Sequence, residues 1–271
     1  MIYVDRTFSQ KLERTEARAN ADFVDTRARL EPDSEATWIE VAGAYAMFDG
    51  VGSPLTQTFG LGVFEDATHE HLEQLESFFK DRESDVFHEV SPMADQSIMS
   101  LLSERGYRPV EMTSVMYKEL GESRLDSTPE TQIKTRVVEE ADADLWAETV
   151  AAGWASDQPD LVEFLQGIGK ISARTAGGRP FLAELDGRPI AAGGFQMYDD
   201  VCILAGASTV PHARRQGGQN ALLRARLRFA IDHGCTLAIM GTLPGSQSQK
   251  NAQKNGFHIA YTRTKWHLSA S

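Results

Sequence analysis

The chain has 271 residues, 41% apolar and 24% charged, with a formal net charge of −12. That is the composition of an ordinary globular protein, long enough for one large or two modest domains. No run approaches the roughly 18 apolar residues of a membrane span, the opening MIYVDRTFSQKLER lacks the apolar core of a secretory signal, and so acidic a chain would repel duplex nucleic acid. The expectation is a cytoplasmic protein, monomeric or homodimeric, with neither membrane nor nucleic acid as partner. Cys202 and Cys235 both fall in apolar runs and read as small core residues.

Residues 7–30 are polar with Phe8, Leu12, Ala19, Phe23 and Leu30 at helical spacing, which predicts one or two helices. Residues 38–48, WIEVAGAYAMF, predict a strand ended by the Asp49-Gly50 turn, and residues 57–64 a second strand. A helix is expected over 69–82, with Leu72, Leu75, Phe78 and Phe79 on one face, then a short strand over 86–90. His69 and His71 are two apart at this helix start and do not share a face, so no metal pair is expected. A further helix over 95–105 is closed by Gly106, and strand-like residues run from 107 to 120. Residues 121–132, GESRLDSTPETQ, are polar, aperiodic and read as a linker.

After the linker the pattern restarts. A short strand at 136–138 leads to a helix through Trp146 and Val150, and residues 154–171 look helical but broken by Pro159, Gly167 and Gly169. A meander follows over 181–185, 189–197 and 201–208, with turns at Asp186-Gly187 and Asp199-Asp200. The next helix buries Leu223, Leu227 and Ile231 and stops at His233-Gly234. A strand over 236–240, a helix over 248–255 and a final strand pair over 257–268 complete the chain. Both halves run strand, Pro-containing loop, helix, Gly-aromatic, strand: the pairs Gly106-Tyr107 and Gly256-Phe257 lie 150 residues apart.

Charge is unevenly spread. Residues 1–120 carry 11 Lys and Arg against 23 Asp and Glu, whereas residues 201–271 carry nine basic residues and one acidic residue, Asp232. The basic stretch contains Arg214-Arg215-Gln216-Gly217-Gly218, placed between an apolar strand and a helix. Such a turn suits phosphate: glycines let a ligand approach the backbone, and N–H groups, helix dipole and two arginines all favour negative charge. Neither a Walker loop nor the dinucleotide fingerprint is present.

The stretch Val210 to Gln219 resembles the acyl-coenzyme A loop of the GNAT-type N-acetyltransferase superfamily, [QR]-x-x-G-x-[GA] after a valine-ended strand. Arg214 and Gly217 take the first and fourth positions, and Gln219 stands where the family has Gly or Ala. Residues 244–257, PGSQSQKNAQKNGF, are similar to the family's second cofactor-contacting segment. The resemblance implies an α/β (α+β) fold of two GNAT-like domains, each a central, mostly antiparallel mixed sheet flanked by helices. Residues 1–120 would form a degenerate copy without the cofactor loop, and residues 133–271 the acetyl-coenzyme A-binding copy.

It further implies acetyl-coenzyme A as co-substrate, no metal, and transfer of the acetyl group to a primary amine of a small molecule or peptide by direct attack. The cofactor contacts would be Ser208, Thr209, Val210, Arg214, Arg215, Gln216, Gly217, Gly218, Gln219, Asn220 and Asn251, with the Val210 N–H as oxyanion donor. Many family members use a Tyr as general acid where this chain has Ala252. Ser248, Tyr261 or a water is left for that role, and Glu184 is the carboxylate of the meander available as base. Trp154 and Asp157 would line the acceptor pocket. A non-catalytic module binding an acyl-coenzyme A or another small ligand is the alternative.

Overall fold

A computed structural model describes residues 2–121, 132–155 and 162–270. The linker read at 121–132 falls almost wholly outside them. Packing divides the chain into unit 1, Met1–Tyr117 with Gly241–Ser271, and unit 2, Lys118–Met240. The sequence pattern groups 133–271 by chain order; the packing groups residues 241–271 with unit 1, because their strand pairs there.

Unit 1 starts with one helix, α1 (Arg6–Leu30), whose N-cap Asp5 accepts the Phe8 N–H. The run read as a single strand at 38–48 is a hairpin, β1 (Thr37–Val41) and β2 (Ala44–Phe48), reversed by Ala42 and Gly43, both at positive φ. An alanine in the left-handed region is not a signal that residue statistics flag. β3 (Gln57–Phe59) is shorter than expected because Gly60 and Gly62, also at positive φ, turn the chain. Then come α2 (His69–Lys80), β4 (Val86–Val90), α3 (Ile98–Glu104) and β5 (Arg108–Glu119). The last part of the chain returns to this unit as α7 (Gln247–Lys254) and β11 (His258–Leu268). The expected final strand pair is one long strand: residues 257–268 contain no turn residue, and register shifts take up the irregularities.

The strand order in unit 1 is β1-β2-β3-β4-β11-β5, parallel only between β3 and β4. Leu72, Leu75 and Phe79 of α2 pack with Val86, Ile98, Leu102 and Trp266 in its main apolar core. The Gly-aromatic repeat has a physical counterpart here. Gly106 and Gly256 both take positive φ after a short helix, Tyr107 and Phe257 are both buried, and the strands that follow pair antiparallel. Arg108 lies opposite His267 and Tyr117 opposite His258, an arrangement that the 150-residue shift maps onto itself.

Unit 2 contains β6 (Lys134–Val137), α4 (Ala143–Trp154), α5 (Val162–Ser172), β7 (Phe181–Leu185), β8 (Arg188–Tyr198), β9 (Val201–Thr209), α6 (Gly218–Asp232) and the start of β10 (Leu237–Thr242). The order is β10-β9-β8-β7-β6, parallel only between β9 and β10. Strand alternation explains why the first three residues of β7 are all apolar and buried. Leu182 packs with Trp146, Ala147 and Val150 of α4, whereas Phe181 meets Phe195 and Phe229 of α6 edge-to-face. Both units therefore have the mostly antiparallel mixed sheet with flanking helices that the sequence implies.

Candidate functional site

The chain from β9 into α6 makes the site. β9 pairs with β10 only from Val201 to Ile203, although it runs on to Thr209, so its edge from Leu204 onward is unpaired on the β10 side. On the β8 side the register jumps from Ala192/Ser208 to Gly194/Ala205. Gly206, at φ 58, and Ala207 stand opposite the single residue Gly193, a bulge of one extra residue in β9. An inserted cation steadies it: Arg226 is buried on α6, fills the space that a Gly193 side chain would need, and donates to Gly194 O at 2.9 Å. Burial pushes its guanidinium down to about 10.

After β9, a short turn over Pro211–Ala213 leads to Arg215 at φ 66 and Gly217 at φ 95. These two left-handed positions bend the backbone sharply on either side of Gln216, a turn that lets a ligand approach main-chain N–H groups. α6 begins at Gly218, and among the described residues its N-cap, Gly217, makes no side-chain capping bond, as befits a helix start whose positive dipole end favours an anion. Arg215 is exposed and has no ion-pair or hydrogen-bond partner among the described residues. A helix start with a glycine N-cap, a sharp left-handed turn and the exposed Arg215 together fit a pyrophosphate.

The individual residues divide into those that face outward and those that brace the loop. Arg214, Arg215, Gln216, Gly217 and Asn220 are exposed, and Gln216 Nε2 donates to His212 O at 3.2 Å. Arg214 also reaches back to Gly153 O at the end of α4, 3.0 Å away. Ser208 is buried and donates to Val150 O at 3.0 Å, which makes it an anchor on α4 instead of a ligand contact. Gln219, the departure from the family pattern, donates to Thr209 Oγ1 at 3.0 Å and ties the end of β9 to the first turn of α6. Gly218 packs against Ile190 and Ala191 and is not at positive φ; only Gly217 is.

Val210 corrects one expectation. Its N–H donates to Ile190 O at 3.0 Å, so this group is not available to an oxyanion. The carboxylate of Glu184 is likewise committed: Arg136 Nε donates to it at 2.9 Å while the same guanidinium holds Asp142. Trp154 ends α4 half-exposed, and Asp157 lies outside the described residues.

Ser248, Asn251 and Tyr261 belong to unit 1. Ser248 is exposed in the first turn of α7, and Asn251, also exposed, accepts from Gln247 at 2.7 Å. Tyr261 is buried and donates to Glu13 Oε1 at 2.7 Å. Burial and the Glu13 charge raise its hydroxyl well above the usual tyrosine range, opposite to what a proton donor needs. Ala252 is buried. Sequence reasoning missed Gly153, Val150 and Ile190, which hold the loop through main-chain carbonyls; no side-chain motif announces such partners.

The family model for the acetyltransferase (GNAT) family matches residues 139–257. A comparison with curated proteins finds no match. Among solved structures, a GCN5-related N-acetyltransferase from Kribbella flavida aligns with a TM-score of 0.61 at 16% identity, covering 93% of this chain and 94% of that one. A tandem GNAT protein from the clavulanic acid biosynthesis pathway aligns with a TM-score of 0.61 at 11% identity, covering 84% and 78%. An acetyltransferase of the GNAT family from Novosphingobium aromaticivorans gives 0.53 at 16%, covering 92% and 96%. At these identities the structures speak for the fold, and the family model speaks for the segment. Residues 139–257 of this chain are thus similar to the acetyltransferase (GNAT) family, a match that spans unit 2 from residue 139 onward and the start of the returning segment of unit 1.

Proposed function

We propose that the chain is an acetyl-coenzyme A-dependent N-acetyltransferase acting on a primary amine of a small molecule or peptide. The observation that carries this reading is the start of α6, where a helix start with a glycine N-cap and a left-handed turn at the exposed Arg215 and Gly217 adjoin an open strand edge. Arg215 and the first-turn N–H groups would hold the pyrophosphate, and the edge of β9 beyond Ile203 would take the extended arm as an added strand. When bound, the coenzyme supplies a thioester carbonyl open to attack by an amine.

With the Val210 N–H engaged, the oxyanion donor is assigned to the bulge around Gly206 and Ala207, which have no partner in the β8 register. Glu184 and Tyr261 are both held by other side chains, which assigns proton removal and thiolate protonation to water or to the substrate. The tandem reading follows from the paired Gly-aromatic elements, with residues 1–120 as a copy that lacks the basic turn.

A second reading, a non-catalytic acyl-coenzyme A-binding module, is favoured by the buried Ala252 in place of the family's Tyr. Free thiol release from acetyl-coenzyme A, measured with a panel of amino acids, polyamines, aminoglycosides and peptides, tests both. Amine-dependent release supports the transferase. Binding without release under any amine selects the module, and absence of binding overturns both readings.

A further inference from the structure

Unit 1 carries an open cavity of about 310 Å3 whose walls come from four strands, β3, β5, the end of β10 and β11, and from α1. Local periodicity puts the lining there. Glu16 and Asn20 are one turn apart on α1, Gln57 and Phe59 are two apart on β3, and Glu111 and Thr113 two apart on β5. Arg263 of β11 forms the floor, 2% exposed, with its guanidinium 4.7 Å from the centre of the Phe59 ring. Its Nε donates to Glu89 at 2.9 Å and its two Nη atoms to Glu16 at 2.7 and 2.8 Å. The arginine therefore already serves carboxylates and does not make the cavity an anion site.

The remaining lining is rich in acceptors. Gln57 is 7% exposed, and its amide oxygen is buried without a hydrogen-bond partner among the described residues. Such an oxygen carries a desolvation penalty until a donor reaches it. Glu111 is half-exposed and lies 3.4 Å from Lys265 Nζ. On the wall and directly behind it, the carboxylates of Glu16, Glu89 and Glu111 face two cations, Arg263 and Lys265. Leu55, Phe59 and Leu243 supply an apolar side. A surplus of negative charge, an unmet acceptor and an apolar wall select for a donor-bearing cation with a compact apolar body.

We propose that this cavity is a binding site for a small organic cation carrying a primary ammonium group, received by Gln57 and Glu111 and packed on Phe59. The proposal needs only unit 1 and stands apart from the acetyl-transfer reading. Calorimetric titration of the full chain, without coenzyme, uses phenethylamine as probe and two analogues of the same shape, neutral 2-phenylethanol and anionic 3-phenylpropanoate. Saturable one-to-one binding of the amine, about tenfold tighter than either analogue, is expected. Gln57→Leu and Glu111→Gln should each weaken it about tenfold while preserving the urea midpoint. The analogue comparison needs no variant and so holds even where a substitution unfolds the protein. Equal affinity for all three probes, no saturable amine binding, or unchanged affinity in either folded variant overturns the site.

Discussion

Gly217 offers the sharpest test of the loop, because its neighbour serves as a control. Gly217 is the N-cap of α6 at φ 95 and ψ 1, in the left-handed region. A Cβ added there would meet only Ile133 Cδ1 at 3.9 Å, an ordinary contact, so space is not the obstacle. The cost of Gly217→Ala is therefore conformational, about 1–2 kcal/mol for an L-residue held in that region. Where the turn escapes by flipping out of the left-handed state, its N–H groups no longer converge, and the binding-competent fraction falls by about five- to thirtyfold. Gly218, one residue on, is not at positive φ, and its Cβ would touch Ile190 and Ala191 at 3.4 Å, a packing effect alone. Calorimetry with acetyl-coenzyme A should show a weakening by the stated factor in Gly217→Ala, a smaller change in Gly218→Ala and partial recovery in Gly217→Asn, since asparagine tolerates the left-handed region. Wild-type affinity in a folded Gly217→Ala protein would refute the cradle.

The two loop arginines should separate by readout. Arg215→Ala should weaken coenzyme binding about fivefold at low salt and much less near 0.5 M, since the side chain has no structural partner and its attraction is screened; Arg214→Ala should instead lower the urea midpoint by about 1 kcal/mol in stability, through loss of its bond to Gly153 O. Equal salt dependence in the two variants would remove this division of labour. Glu13 is pushed up to about 7 by burial, against Arg263 and Tyr261, with Glu16 and Glu89 adding to the rise. The folded protein thus keeps a proton that the unfolded chain releases above about pH 4.5. The stabilising contribution of Glu13 is complete below that pH and lost as pH rises through about 7. His88, pushed down to about 3 by burial, slopes the other way, being stabilising above about pH 6.5 and losing that contribution as pH falls. Subtracting wild-type from Glu13→Gln stabilities in urea, between about pH 5 and 8, isolates the first group. The difference should move in favour of the variant as pH rises, and a flat difference would contradict the buried, protonated carboxyl.

The elements that were legible in the sequence are those whose ends are set by local chemistry. Asp186-Gly187 and Asp199 reverse the meander at positive φ as their residue types announce, and Gly106, Gly234 and Gly256 stop helices in the left-handed region. The strand–turn–helix at the site was readable for the same reason, with α6 starting one residue before the expected Gln219. What was not legible depends on partners remote in sequence. Ser208 reads as an exposed edge residue, but Val150, 58 residues earlier, receives its hydroxyl. Tyr261 reads as a possible acid on a strand, but Glu13, 248 residues earlier, accepts its hydroxyl's hydrogen bond. The Ala42-Gly43 reversal was hidden because alanine pays the left-handed strain there without advertising it.

The position of β11 has a consequence for synthesis on the ribosome. It lies between β4 and β5, pairing antiparallel with both, so those two strands of unit 1 emerge long before the strand that joins them. Unit 2, Lys118–Met240, is by contrast continuous in sequence, and its strands β6 to β9 have their pairing partners once the nascent chain reaches β10. The later-made unit is therefore able to mature first, while the earlier-made residues wait with two unpaired strand edges exposed to aggregation or to chaperones. A stalled or truncated product lacking residues beyond 257 would leave the first 117 residues permanently in that waiting state, although every one of them had been translated.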